Sequence, residues 1–403
     1  MSEFFIARQP IYNRTQHVHG YELLYRGGDV QHAEMEDADV ATSQIMLNAF
    51  TDIGLDNLVG GRIAFVNLSR GFLVGTYPLP LPGSRVAIEV PNTDVIDKEL
   101  TQGVVRLSKQ GYTVVLDDFV YRDESVPLLK VANMAKLDIQ ALSEEDLRQH
   151  VGLLQEYENL KLLALKVEVL EEYEVCRDLG FNFFQGYFFS RPRIIRRKRI
   201  SGNQVALMQL LSELQRPDVS IPKLEVLISR DIGLSYKLLR YINSAFFGLS
   251  KPIESIQRAI VLLGIKIIQH WTTLLVLARV DDKPNELMIT SVVRAKMCAL
   301  LGEALGHEEV DSFFTIGLLS VLDALLDMDM EKVLDMLTMS NEINGALLRR
   351  EGEAGAVLDL VLHYEQGEWD NLKHDKLDAV AVKDAYLQAV AWSTEACRTL
   401  LGD

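Results

Sequence analysis

Seven polar residues of the N-terminal half sit in or at the end of apolar runs. They are Glu22 in "GYELLYR", Asn67 in "IAFVN", Glu89 in "VAIE", Asp117 and Asp118 in "TVVLDD", and Lys136 and Asp138 in "AKLD". Close-set carboxylates repel and raise one another's pKa unless a cation neutralises them. Hard oxygen donors are the ligands that Mg²⁺ or Mn²⁺ prefers. Glu22 therefore reads as a divalent-metal ligand, and Arg26, in the same run, as a phosphate contact. Taken singly, each residue is read as well as a strand-end cap or a surface charge. As a set they are harder to dismiss, because acidic residues are depleted from strands.

The elements that must position these groups follow from the texture around them. "RIAFVNL", "RVAIEV", "YTVVLDDF", "MAKLDI" and "LKLLALKV" are rich in Val, Ile, Leu and aromatics, and several are bounded by Gly, Pro or polar residues. Between them lie helical stretches. "ATSQIMLNAF" places Ile45, Met46, Ala49 and Phe50 at helical spacing, and "SEEDLRQHVGLLQEY" opens on Ser143 as N-cap with Glu145 and Asp146 in its first turn. Strand alternating with helix implies a parallel sheet. Seven candidate strands spaced by tens of residues suit a TIM-like (β/α) barrel, in which strand C-terminal ends converge on one face. After Ser201 the pattern is helical. Val205, Met208, Leu211 and Leu214 recur every three residues, and "SIQRAIVLLG" ends on Gly264. The expectation is an α/β barrel domain over 1–195 and an all-α domain over 196–403, with the boundary near Pro192 to Ser201.

Length and charge bound the function. A chain of 403 residues fits about two domains. The net charge of −16 argues against general nucleic-acid binding, which depends on Lys and Arg neutralising phosphates. The exception is "RPRIIRRKR", Arg191 to Arg199, read as a solvated linker in preference to an anionic-ligand contact. No apolar run reaches the roughly 20 residues of a membrane span, and "MSEFFIARQP" is no secretory signal. A cytoplasmic protein is expected. Cys176, Cys298 and Cys397 are widely spaced and odd in number, as reduced buried thiols would be.

The order of "RQPIY", "GYELLYR", "VNLS", "AIEV", "LDDF", "AKLD" and "FFQGYFFSRP" resembles the EAL domain, a bacterial TIM-barrel phosphodiesterase family for cyclic di-GMP, over about residues 1 to 195. The resemblance implies metal ligation by Glu22, Asn67, Glu89, Asp117 and Asp118. It implies catalytic roles for Lys136, Glu22 and Asp117 if the domain is active. Gln9, Arg26 and Gln185 would contact the nucleotide, and Mg²⁺ or Mn²⁺ would be the cofactor.

The chain departs from that family at several places. In the stretch similar to "AEGVE" it reads Ala164, Leu165, Lys166, Val167, Glu168, so an aliphatic side chain replaces the first carboxylate. In loop 119–130, "FVYRDESVPLLK", Val120 stands where the family has glycine, and that loop couples dimerisation to the metal site. The "ELTE" motif survives only as Glu89 in "EVPN". One metal position is thus expected to be nearly complete and a second weakened, with homodimer formation left open.

"LEVLISRDIGLSYKLLRYINSAFFGLSKPIESIQRAIVLLG" is similar to the HDOD domain, a helical relative of HD phosphohydrolases, over about residues 200 to 403. Where an HD dipeptide would follow "FFTIGLL" this chain has Ser320 and Val321, so the hydrolase ligands are absent. His374–Asp375 lies far downstream in a polar context, and His270 and His307 stand without partners at metal spacing. The expectation is a cyclic di-GMP signalling protein. Its divergent EAL domain binds the nucleotide with little or no hydrolysis, and its non-catalytic HDOD domain relays the state to an unidentified protein partner. The alternatives are a weak or conditional phosphodiesterase giving the linear dinucleotide and a nucleotide-independent scaffold.

Overall fold

Each run that ends on a polar residue in the N-terminal half is a strand of one closed barrel. In the computed structural model, which describes residues 4–27, 54–79, 81–92, 96–190, 202–216, 218–249, 251–278, 283–337 and 339–401, eight strands pair in sequence order. They are β1 (Phe4–Asn13), β2 (Val18–Gly27), β3 (Ile63–Asn67), β4 (Val86–Val90), β5 (Thr113–Leu116), β6 (Met134–Asp138), β7 (Lys161–Leu165) and β8 (Phe183–Phe184). The helix expected over 41–50 and the basic run 191–199 lie outside the described residues.

From β2 to β8 neighbouring strands are parallel, as the alternation with helices requires. The all-parallel expectation fails at β1, which runs antiparallel to both β2 and β8. The cause is local: only a short turn separates β1 from β2, too short for a crossover helix, so the chain must fold back as a hairpin.

The barrel interior is filled by Ile11, Phe65, Ala87, Val115, Met134, Leu163 and Phe183, with Leu165 packed against them. These residues alternate with outward ones along their strands, the period-two pattern of a pleated surface. Outer helices bury one stripe each. In Lys98–Lys109 the buried positions are Leu100, Gly103, Val104 and Leu107, and the Asp97 side chain caps the start by accepting from the Leu100 N–H at 2.9 Å. Helix Glu144–Leu154 begins as its sequence requires, with Ser143 Oγ accepting from the Asp146 N–H at 3.2 Å. The chain divides into a unit of Met1–Phe188 with Glu365–Trp369 and a unit of Phe189–Tyr364 with Asp370–Asp403.

The second unit is built of helices that include Ile221–Ser229, Ile232–Ile242, Ile256–Leu263, Ile265–Leu277, Asn285–Ala304 and Asp311–Leu319. Its lone histidines are packed or paired. His270 stacks on Phe314 at 4.4 Å and shares a hydrogen bond with Thr315 Oγ1 at 3.3 Å, while His307 meets Glu353 at 2.6 Å. His374 Nδ1 accepts from the Lys376 N–H at 3.3 Å, a turn contact. The three cysteines are buried and unbridged, and burial pushes the Cys176 thiol up to about 12. No described helix is long and apolar enough to cross a membrane.

Candidate metal centre

The barrel register brings the strand ends to one mouth. Asn67 closes β3 and pairs with Glu89 near the end of β4, while the Asp117 N–H, just after β5, donates to the Val90 carbonyl at 2.9 Å. Lys136 lies in β6, and Gln185 follows β8, its N–H donating to the Ala164 carbonyl at 2.9 Å. Glu22 on β2 pairs with Phe65 of β3 on one side and Gln9 of β1 on the other.

These side chains meet around one ammonium. Lys136 Nζ donates to Glu22 Oε2 at 2.9 Å and Glu89 Oε1 at 2.7 Å, and it lies 2.9 Å from Asp117 Oδ1. Gln185 Nε2 donates to Glu22 Oε2 at 2.7 Å and to Gln9 Oε1 at 3.1 Å. Lys136 is 1% exposed and Glu89 0%.

Electrostatics here is a contest between burial and pairing. Burial alone would lower the Lys136 pKa, but Glu89, Glu22 and Asp117 together overcome it and hold the ammonium above the ordinary lysine range. Glu89 goes the other way. Burial and the neighbouring Glu22 charge push its carboxyl well above the usual carboxylate range, against the pull of Lys136. One ammonium thus faces three carboxylates, with Lys136 and Glu89 closed to solvent.

The donor set fits a hard divalent cation. Glu22, Glu89 and Asp117 offer oxygens that all lie within 4.8 Å of one another, the one such carboxylate, His and Cys cluster among the described residues. Glu89 Oε2 is buried with no hydrogen-bond partner, as is Gln185 Oε1. A buried acceptor without a donor calls for a cation or a ligand N–H.

Other residues expected at the site stand further off. Asp118 adopts a left-handed backbone (φ 46°) and is not part of the trio. Asp138 is engaged by Lys166, whose Nζ lies 2.6 Å from Asp138 Oδ2. Arg26 lies four residues beyond Glu22 on β2, on the same strand face by alternation, and pairs in register with Phe5. Glu168 is outside the metal-ligand cluster; its N–H donates to the Glu172 carboxylate at 2.7 Å. Two contacts had no signal in the sequence. The Tyr25 hydroxyl donates to the Asn67 carbonyl, and the Lys166–Asp138 pair depends on a left-handed turn at Lys166.

Comparison with known proteins finds a family model for part of the helical half and relatives along nearly the whole chain. Residues 203–353 match the family model of the HDOD domain. The chain is 35% identical over 406 residues to the cyclic di-GMP phosphodiesterase CdgJ of Vibrio cholerae, covering 98% of this chain and 94% of that protein. It is 34% identical to the uncharacterized protein YuxH of Bacillus subtilis, over 96% of this chain and 97% of that one. Among solved structures, Klebsiella pneumoniae BlrP1 in a calcium and cyclic di-GMP complex is similar at 23% identity, 47% of this chain, 56% of that chain and a TM-score of 0.40.

Proposed function

The chain belongs to the EAL–HDOD family, and on that premise we propose that its barrel mouth binds cyclic di-GMP together with one divalent cation, Mg²⁺ or Mn²⁺, with little or no hydrolysis. The observation that carries this reading is the buried cluster of Glu22, Glu89 and Asp117 around Lys136, with the Glu89 Oε2 acceptor left over. A scaffold that binds no anionic ligand or metal gains nothing from three mutually repelling carboxylates gathered on one ammonium. Glu22, Glu89 and Asp117 would hold the cation, with the Asn67 side-chain oxygen as a further donor. A cation held there supplies Lewis acidity toward a phosphodiester oxygen. Gln9 and Gln185 present amide groups beside Glu22, and Arg26 offers its guanidinium to a phosphate.

Weak turnover is read from the residue that closes β7. Leu165 packs against the barrel core and has no group to take a proton or hold a cation. A weak or conditional phosphodiesterase giving the linear dinucleotide is the second reading, favoured by the 35% identity to CdgJ and by the intact Glu22, Glu89, Asp117 and Lys136 set.

The helical half is proposed to pass the bound state to a protein partner, which requires that the ligand favour one arrangement over another. Support comes from exposed apolar side chains on two helices that touch. Ile232 (85% exposed) and Tyr236 stand on Ile232–Ile242, and Val261 (71%) and Leu262 on Ile256–Leu263. Lys237, Arg240 and Arg258 are exposed beside them, which suits a partner surface that is apolar and acidic.

Calorimetry of the full-length protein with cyclic di-GMP in Mg²⁺, with Glu22→Ala alongside, tests the reading. Saturable binding lost in the variant is expected. An absence of binding at tens of micromolar protein overturns it. Chromatography of the product separates receptor from slow enzyme.

A further inference from the structure

Beside the Glu22–Glu89–Asp117 trio the mouth has a second acidic arm, and a lysine is already lodged in it. At the end of β7 the backbone of Lys166 turns left-handed (φ 57°), and its Nζ lies 2.6 Å from Asp138 Oδ2 at the end of β6. The other oxygen of Asp138 accepts from the backbone N–H groups of Gln140 and Ala141 at 2.9 and 3.3 Å. Gln140 closes the arrangement by donating from Nε2 to the Lys166 carbonyl at 3.2 Å. Both Asp138 oxygens are thus engaged by groups of the chain itself.

Asp118, two residues past the end of β5, lies next to this arm. It stands near enough to Asp138 and to the Lys166 ammonium to feel both charges. Asp118 and Lys166 are both non-glycine residues with left-handed backbones, a conformation that L side chains rarely adopt. Such strain persists where the surroundings fix it. At Lys166 it accompanies the contact of the ammonium with Asp138.

We propose that Lys166 is a built-in counter-ion that fills the Asp118–Asp138 arm, so that the mouth takes a single divalent cation at Glu22, Glu89 and Asp117 and excludes a second. This rests on the reading of the mouth as a metal centre. A second dication would have to displace the ammonium from Asp138, whose charge it already answers, and meet its positive charge at close range, whereas the three carboxylates of the trio share a single ammonium.

The test is Mn²⁺ binding to the full-length protein without nucleotide, followed by the electron paramagnetic resonance signal of the free ion. Wild type is expected to bind one equivalent, lost in Glu22→Gln. Lys166→Gln is expected to keep that equivalent, which also reports a folded barrel, and to strengthen binding of a second by about tenfold or more, as removal of a unit charge near a dication should. One equivalent in wild type with no second in Lys166→Gln overturns the role of the lysine alone, as do two equivalents of like affinity in wild type. Failure of wild type to bind Mn²⁺, or a first equivalent that survives Glu22→Gln, overturns the metal centre and the lysine's role with it.

Discussion

Lys136 Nζ sits 2.7 Å from Glu89 Oε1, and both side chains are sealed from solvent. Breaking a buried ion pair by removing one partner typically costs about 3–5 kcal/mol, because the other charge is left uncompensated. Here three carboxylates share the one ammonium. Lys136→Met is therefore expected to destabilise the barrel by about that amount, and Mn²⁺ is expected to restore much of the loss by taking over the carboxylates. Urea denaturation with and without Mn²⁺ checks this. A variant midpoint equal to wild type in metal-free buffer would refute it.

The helical half carries its own pH dependence. His270 is buried against Phe314 and Thr315, and burial, with the Lys266 charge adding to it, lowers its pKa to about 4. The unfolded chain binds its proton near the ordinary value of ~6.5. Above that pH the imidazole is neutral in both states and folding carries no penalty. As pH falls from ~6.5 to about 4 the unfolded state takes up the proton first, so stability is lost across that window and levels off below it. Between pH 7 and pH 5 the loss from this group is about 2 kcal/mol. Urea midpoints at the two pH values should show it, and His270→Phe should flatten the dependence.

Gly186 holds Gln185 in place. A Cβ on Gly186 would lie 2.2 Å from the Val167 carbonyl oxygen and 2.5 Å from its nitrogen, both backbone atoms that cannot swing aside. The same segment is pinned by the Val167 N–H donating to the Gln185 carbonyl at 3.0 Å. Gly186→Ala is expected to cost about 3 kcal/mol and to loosen the contact of Gln185 with Glu22. Thermal melting together with cyclic di-GMP titration reads both effects. Wild-type melting in the variant would show that the segment yields more easily than its packing indicates.

The strand ends were legible because a lone polar residue at the end of an apolar run stands out, as Asn67 does in "IAFVN" and Glu89 in "VAIE". The convergence of Glu22, Glu89 and Asp117 followed once a barrel was inferred, since parallel closure leaves one mouth. Other features gave no periodic signal. Strand β8 is two residues long, and β1 carries Pro10, which demotes a run as a strand, so its antiparallel course was hidden. Asp118 looked equivalent to Asp117 because adjacency in sequence says nothing of a left-handed backbone, which turns the second carboxylate out of the trio. Lys166 was visible only as the neighbour of Leu165; its bond to Asp138 needs the three-dimensional turn.

Leu165 allows the receptor and slow-enzyme readings to be pulled apart. It closes β7 opposite Asp138 in register and rests against the barrel core, so its side chain stands at the inner edge of the mouth. Leu165→Glu puts a carboxylate at that edge, where it can accept a proton or join the Asp118–Asp138 arm. Loss of apolar packing and partial burial of a charge should cost about 1–3 kcal/mol of stability. If the missing carboxylate limits turnover, the variant should form linear dinucleotide at least about tenfold faster than wild type, about 1.4 kcal/mol of transition-state stabilisation, and more so when combined with Lys166→Gly. Chromatography of cyclic di-GMP incubated with each protein in Mn²⁺ measures this. If the variant folds and binds nucleotide but hydrolyses no faster, the block lies elsewhere. Loop 119–130 is then the next place to look, since its Val120 projects to solvent and a short helix, Val126–Leu129, follows in it.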